Sequence, residues 1–414
     1  MIYRLRKKEK SIKGIVHLTT SKSESNRVLI IQALCAQAFQ IKQLAKAKDT
    51  ETLNALLTAA KDQEKALLDV GPAGTTMRFL VAFLAISKGH YVLTGSKRMQ
   101  ERPIGILVDA LRVLGASITY TSNEGFPPLK IEGKKLTGDH VTINGSVSSQ
   151  FITALLLIAP CLPNGLRLTL EGEVASRPYI EMTLKIMRYF NVSSTWQGAT
   201  IDIPHQEYKG KEYTIEADWS AASYWFEMAA MAKEVDLTIT GLRQESLQGD
   251  SAIVTIMKSF GVTTRFTAEG LVLTKAGDES DNKTFEYDFS DCPDIAQTLA
   301  VTAAALNFNA SLKGLASLKI KETDRIAALR NELFKIGVHA AEETLNCLEV
   351  HVSSKARVPA TIATYDDHRM AMAFAPLALV LEYVDIEEPQ VVEKSYPGFW
   401  DDLRSVGFEI EIIK

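Results

Sequence analysis

The chain has few of the features that mark a compartment or a cofactor. Its four cysteines, Cys35, Cys161, Cys292 and Cys347, stand apart with no Cys-x-x-Cys pair. That argues against a disulfide framework or a thiolate metal site, so reduced core thiols are expected. The seven histidines form no His-Glu-x-x-His and no close pair, so no zinc centre is expected. Net charge is only −4, which gives no general pull toward nucleic acid or an anionic membrane. The longest apolar stretch, Phe151 to Leu162, contains Thr153 and Pro160 and is too short to span a bilayer. Met1 to Lys10 is charged and lacks an apolar signal core, so a cytoplasmic protein is expected. There is no Walker loop, no Rossmann fingerprint and no Pro/Gly/Ser-rich linker. The 414 residues favour two or three domains.

What the chain does have is a rhythm. Six times a short polar motif leads into a helix that reads as apolar nearly all round. The motifs are Lys22 to Arg27, Gly71 to Thr75, Ser148-Ser149-Gln150, Asp218-Trp219-Ser220, Cys292-Pro293-Asp294 and Asp366 to Arg369. From Gly74 the steps to Ser148, Ser220, Pro293 and Asp367 are 74, 72, 73 and 74 residues. A fixed period signals a repeated structural unit, and an all-apolar helix is a buried one. The N-terminus of such a helix offers unpaired N–H groups and a positive dipole end, a ready anion site.

Amphipathic helices repeat in step with these. Their ends read Leu114-Gly115, Phe190-Asn191, Phe260-Gly261, Ile336-Gly337 and Val406-Gly407. Gly or Asn after the last apolar residue suits a left-handed C′ position. Short β-branched runs follow, such as Ser117 to Thr121 and Val262 to Phe266. Six βαβ-type units of mixed α/β (α+β) class are therefore expected. The first is short: only 51 residues separate Arg27 from Arg78, which suggests a missing strand or hairpin. The strand Met1 to Arg6 precedes the first buried helix, so it can complete the last unit's sheet. Crossovers are expected near Thr19–Thr20 and Glu216–Ser220.

Each motif has an ordinary reading beside a functional one. Ser23 or Ser25 can cap the first helix, but a cap does not explain Arg27, expected in the first turn against the dipole. Arg78 repeats that pattern. Arg102, in the basic turn ahead of Pro103, is as readily surface charge as ligand contact. Ser148 caps a helix, yet Ser149 and Gln150 exceed what a cap needs. Ser176-Arg177-Pro178-Tyr179 reads well as a cap with an N1 proline. Asp294 can simply answer a helix dipole. The run Lys319 to Arg325, with Thr323 or Asp324 as cap, borders the core at Ile320 and Ile326. Arg369 opens an apolar helix, with Asp366 or Asp367 as a possible internal partner. One anionic ligand shared by these arginines is the simpler account. Lys394 is similar in kind.

Taken together, nine segments in order resemble the enolpyruvyl transferase superfamily, and within it the 5-enolpyruvylshikimate-3-phosphate (EPSP) synthase family. They are SKSESNR at 21–27, AGTTMRF at 73–79, RMQERPIG at 98–105, SVSSQFITALL at 146–156, SRPYIEMT at 176–183, CPDIAQTLA at 292–300, KIKETDRIAALRNELFKIGV at 319–338, TYDDHRMAMAF at 364–374 and KSYPGFW at 394–400. The resemblance implies the two-domain enolpyruvyl transferase fold, a pseudo-sixfold set of βαβαββ repeats with three buried helices per domain. One domain would span 20–217, and the other, discontinuous, 1–19 plus 218–414, closing over substrate. It implies transfer of the enolpyruvyl group of phosphoenolpyruvate to the 5-hydroxyl of shikimate 3-phosphate, by addition and then elimination of phosphate. It implies no metal or organic cofactor, no nucleic-acid or membrane partner, and a monomer.

By the same resemblance, Ser23, Arg27, Ser148, Ser149, Tyr179, Asp294 and Lys321 would hold shikimate 3-phosphate. Lys22, Gly74, Arg102, Gln150, Arg325, Arg369 and Lys394 would hold phosphoenolpyruvate. Asp294 would be the base, and Glu322 with Lys22 would handle the methylene proton. Glyphosate would compete with phosphoenolpyruvate, Gly74 leaving it room. Pro72 and Ser317 stand where the family usually has Asn. The rival readings are a UDP-N-acetylglucosamine enolpyruvyl transferase and a non-catalytic anion-binding relative. The first usually has Asn after the motif lysine and a reactive loop cysteine. Here Ser23 follows Lys22, and no Cys lies between Cys35 and Cys161.

Overall fold

A computed structural model describes residues 1–146, 148–276, 283–352 and 357–413. Val147, inside one of the nine segments, lies outside the described residues. The chain divides into two compact units: Ser21–Ile215, and Met1–Thr20 with Glu216–Lys414.

Small sheets form the outside of each unit. Ser21–Ile215 holds two four-stranded sheets and one two-stranded sheet. In the first, Lys65–Asp69 lies parallel to Gly89–Thr94, followed by Leu129–Gly133 and the edge strand Ser117–Tyr120, both antiparallel joins. The second repeats this order with His140–Asn144, Leu166–Glu171, Thr200–Ile203 and Thr195–Gln197. Leu129–Gly133 alternates buried and exposed residues along its length. That is the pattern of a sheet with one face on a core and one in water. The two-stranded sheet pairs Ile41–Lys42 with Tyr213–Thr214 in parallel. It belongs to the short first unit, where the chain runs from the Lys48–Asp62 helix straight into Lys65–Asp69.

The other unit holds three four-stranded sheets of the same order. Two of them borrow strands from the N-terminal segment. Ser11–His17 lies parallel to Glu234–Thr240, and Ile2–Arg6 lies between Val384–Glu387 and Glu409–Ile412.

Three helices are buried at the centre of each unit. Lys22–Leu34, Gly74–Ile86 and Ser149–Ile158 touch one another, as do Trp219–Met231, Ala296–Leu306 and His368–Phe374. Burial all round is observed, but apolar character is not uniform: Glu24, Ser25, Asn26 and Arg27 are buried polar residues in the first helix. The amphipathic helices end as their sequences suggest, with Gly115, Asn191, Gly261, Gly337 and Gly407 all at positive φ.

The carbonyl ends of the buried helices differ between units. In the discontinuous unit the ends of Trp219–Met231 and Ala296–Leu306 each receive a cation, as does the Ala375–Leu379 turn that follows His368–Phe374. Lys275 Nζ donates to the Ala230 and Ala232 carbonyls at 2.7 Å each, Lys10 Nζ to Ala378 at 2.8 Å, and Arg357 Nε to Ala304 at 3.2 Å. In Ser21–Ile215 neutral hydroxyls serve: Tyr208 donates to Leu157 at 2.8 Å and Ser87 to Phe83 at 2.7 Å. A cation at this end offsets the negative pole of the helix dipole. No described helix is long and apolar enough to cross a membrane.

Candidate active site

Within Ser21–Ile215 the N-terminal ends of the buried helices adjoin. Ser21, not Ser23 or Ser25, caps the first helix, accepting the Glu24 N–H at 3.3 Å. Ser25 instead accepts the Ala45 N–H at 3.1 Å. Lys22 therefore opens the helix, and its ammonium lies 3.2 Å from buried Asp49. Glu24 turns inward to the Tyr213 hydroxyl, which donates to it. This explains an acid inside an otherwise cationic motif.

Arg27 falls in the second helical turn rather than the first, because the cap lies earlier than expected. Its guanidinium is buried and donates to Thr183 Oγ1 at 2.8 Å, the Ser23 carbonyl at 2.7 Å, the Tyr179 carbonyl at 3.2 Å and Thr153 Oγ1 at 3.4 Å. It ties the first helix to Ser149–Ile158 and Arg177–Tyr189. Burial pulls it down to about 10, so it is still charged at neutral pH.

Gly74 is the first residue of its helix, and two buried arginines flank it. A Cβ there would lie 2.7 Å from Arg102 Nη1 and 3.0 Å from Arg78 Nη1. Ser148 caps the third helix through the Gln150 N–H at 3.4 Å, and the Gln150 amide donates to Thr75 Oγ1 at 3.1 Å. Ser149, Gln150 and Tyr179 are partly exposed. Ser176 sits at the N-cap position with φ 54° and makes no side-chain cap bond, so the cap reading of that motif fails.

The discontinuous unit gathers a denser cluster. Asp294 precedes the Ala296–Leu306 helix. Its carboxylate lies 3.1 Å from Arg369 Nη2, 3.2 Å from Arg325 Nη1 and 3.5 Å from Lys321 Nζ. Burial alone would raise its affinity for a proton. Arg369, Lys321 and Arg325 together outweigh that and hold it well below the usual carboxylate range. Glu322 is bound on one oxygen by Lys394 at 2.7 Å and on the other by Arg325 at 3.0 Å. Asp324, rather than Thr323, caps the Arg325–Lys335 helix. Burial lowers the Lys321 ammonium, and Asp294 partly restores it.

Asp367 is the internal acid of its motif, but it does not pair with the Arg369 side chain. It caps the His368–Phe374 helix through the Arg369 N–H at 2.9 Å, and binds Arg325 at 2.7 and 3.3 Å. The Arg369 guanidinium instead reaches Asp294, the Ser220 hydroxyl at 3.3 Å and the Tyr224 hydroxyl at 3.4 Å. Four cations thus interleave with Asp294, Glu322 and Asp367. Four cations gathered in partly buried surroundings suit an anionic ligand.

Sequence reading missed Asp49, Asp250 and the structural reach of Asp367. Asp49 and Asp250 lie outside the quoted motifs, and only the fold brings them to Lys22 and Ser220. Asp367 and His368 were inside a motif. The His368 ring is buried, with Nδ1 3.6 Å from Asp367. Among the described residues no cluster of three or more His, Cys, Asp or Glu is placed to hold a metal ion.

A family model described as EPSP synthase (3-phosphoshikimate 1-carboxyvinyltransferase) matches residues 56–403. A 3-phosphoshikimate 1-carboxyvinyltransferase from Bacteroides fragilis is 47% identical over 404 residues, covering 97% of each chain. One from Sulfurovum sp. is 39% identical over 422 residues, covering 95% of this chain and 97% of its own. A solved EPSP synthase from Acinetobacter baumannii superposes with a TM-score of 0.78 at 20% identity, covering 99% of this chain and 100% of its own.

Proposed function

Because the chain belongs to the EPSP synthase family and carries its 3-phosphoshikimate 1-carboxyvinyltransferase activity in the shikimate pathway, we propose which residues perform that reaction. Shikimate 3-phosphate is held by Ser23, Arg27, Ser148, Ser149, Tyr179, Asp294 and Lys321. Phosphoenolpyruvate is held by Lys22, Gly74, Arg102, Gln150, Arg325, Arg369 and Lys394. The six sheets are read as six copies of a βαβαββ unit, three per domain, the first shortened to two strands. The domains are 20–217 and 1–19 plus 218–414. The protein acts in the cytoplasm as a monomer without metal or organic cofactor.

In the addition step the 5-hydroxyl oxygen bonds to C2 of phosphoenolpyruvate as C3 gains a proton. Asp294 takes the hydroxyl proton. Elimination removes a proton from the new methyl group and breaks the C2–O bond to phosphate. Glu322, with Lys22, serves both C3 proton transfers, and the Lys394 ammonium lies 2.7 Å from Glu322. Positioned acid–base groups contribute roughly 10²–10⁴ in rate each. Arg325 and Arg369 offset the negative charge that grows on the departing phosphate. Arg27 already donates to four protein oxygens. One Nη1 N–H is left for shikimate 3-phosphate, and the Tyr179 carbonyl bond helps orient that residue.

The observation that carries this reading is Asp294 set among Arg369, Arg325 and Lys321. A carboxylate so placed is a weak base until substrate anions engage the cations. Basicity would then appear only in the loaded enzyme. Phosphate release from phosphoenolpyruvate is the test. Release that depends on shikimate 3-phosphate supports the reading. Release only with UDP-N-acetylglucosamine, or none, overturns it.

A further inference from the structure

Asp250 lies in the Gly249–Ala252 turn, outside every motif, and is 2% exposed. Its Oδ2 accepts the Ser220 hydroxyl proton. The Ser220 oxygen in turn accepts an N–H from Arg369 Nη2 at 3.3 Å. A hydroxyl has one proton and two lone pairs. With the proton committed to Asp250, the lone pairs are left to face Arg369. The same Arg369 nitrogen lies 3.1 Å from Asp294, and Arg369 Nη1 donates to the Tyr224 hydroxyl at 3.4 Å. Three oxygens thus set the plane of that guanidinium.

The other Asp250 oxygen is buried without a hydrogen-bond partner among the described residues. A buried acceptor left unpaired is destabilising, so local stability alone does not account for a carboxyl here. Its surroundings are those of the cluster itself. Burial and then Asp294 push Asp250 up to about 7, Arg369 and the Ser220 bond pull it down, and Asp218 adds a smaller upward push. Buried Cys292 also faces it.

We propose that Asp250 is a positioning residue for the known reaction: through the Ser220 hydroxyl it fixes the Arg369 guanidinium in the orientation that receives phosphoenolpyruvate. This rests on the reading above, in which Arg369 holds that substrate. The polarity of the chain matters. In Asp250→Asn the new amide can donate to Ser220 and turn the hydroxyl proton toward Arg369, setting donor against donor. Ser220→Ala removes the link without changing charge, and Ser220→Thr keeps the hydroxyl.

The test is steady-state kinetics of the full chain, with melting temperatures recorded for every variant. Asp250→Asn and Ser220→Ala should each raise the phosphoenolpyruvate KM roughly 5- to 20-fold, with kcat within about threefold and the shikimate 3-phosphate KM unchanged. The double variant should be no worse than the more severe single one, because both break one chain. Ser220→Thr should restore a near-wild-type KM. Multiplying effects in the double variant, or an unchanged KM in Ser220→Ala, overturns the proposal. Should Asp250→Asn not fold, the Ala and Thr variants at Ser220 decide it. Should the wild type release no phosphate, the functional reading falls. Calorimetric binding of phosphoenolpyruvate then reads the relay, and equal affinity in wild type and Ser220→Ala overturns it.

Discussion

Replacing Asp294 by Asn separates two roles that a carboxylate among cations can play. At 3.1 to 3.5 Å from Arg369, Arg325 and Lys321, its charge both opposes the cations and repels an incoming anion. A unit-charge pair near 3.2 Å is worth roughly 5 kcal/mol at an effective dielectric of 20. Rearrangement and the exchange of one partner for another cancel most of that. A net gain of about 1–2 kcal/mol in phosphoenolpyruvate binding is expected once the carboxylate is gone, roughly 5- to 30-fold tighter. Turnover should move the other way, falling by about 10²–10⁴ as the base for the 5-hydroxyl is lost. Loss of kcat with equal or tighter phosphoenolpyruvate binding is therefore the signature. Steady-state turnover and calorimetric binding in the presence of shikimate 3-phosphate read the two halves. A kcat within threefold of wild type would refute the base assignment. A loss of turnover matched by a loss of binding would show that Asp294 only organises the arginines.

A methyl group at Gly74 meets Arg102 at 2.7 Å, and ordinary contact begins near 3.4 Å, so the guanidinium must shift. Gly74→Ala should raise the phosphoenolpyruvate KM about tenfold and weaken glyphosate inhibition at least as much, and unchanged values would show that Arg102 does not serve that site. Glu227 is fully buried and, among the described residues, neither of its oxygens has a hydrogen-bond partner; burial holds it protonated well above the usual range. Above pH ~4.3 the unfolded chain sheds this proton and the native state does not, so native stability falls by up to about 1.4 kcal/mol per pH unit until the folded group ionises. The melting-temperature advantage of Glu227→Met should thus grow between pH 5 and pH 7, and an equal advantage at both pH values would contradict it. Lys275→Met removes the cation from the carbonyl end of Trp219–Met231 and should cost about 1–2 kcal/mol in urea unfolding, an effect under ~0.3 kcal/mol counting against the dipole argument.

The repeat was legible because burial leaves no choice of residue. A helix packed on all sides is mostly apolar, and a left-handed C′ favours Gly or Asn, so periods and ends could be read at Gly115, Asn191 and Gly261. The short first unit was also visible, through the close spacing of Arg27 and Arg78. Caps were less certain, because Ser21, Ser23 and Ser25 are equally able to cap and only backbone geometry selects Ser21. Partner choice was not legible at all. Asp366, Asp367 and Asp294 are interchangeable as letters, but folding gives Asp367 to Arg325 and Asp294 to Arg369. Asp49 and Asp250 reach Lys22 and Ser220 from 27 and 30 residues away, with no local pattern to announce it. Lys275 and Arg357 likewise reach helix carbonyl ends from 45 and 53 residues away.

In the proposed assignment shikimate 3-phosphate presents its 5-hydroxyl to Asp294, and Ser148, Ser149 and Tyr179 are the hydroxyls assigned to hold it. A crystal structure with that compound bound tests it most directly. The phosphate is expected within hydrogen-bond reach of the Ser148, Ser149 and Tyr179 hydroxyls, and the 5-hydroxyl about 2.6–3.2 Å from an Asp294 oxygen. A ligand whose 5-hydroxyl meets no carboxylate, or whose phosphate sits at the Ser220 helix entry instead, would contradict it.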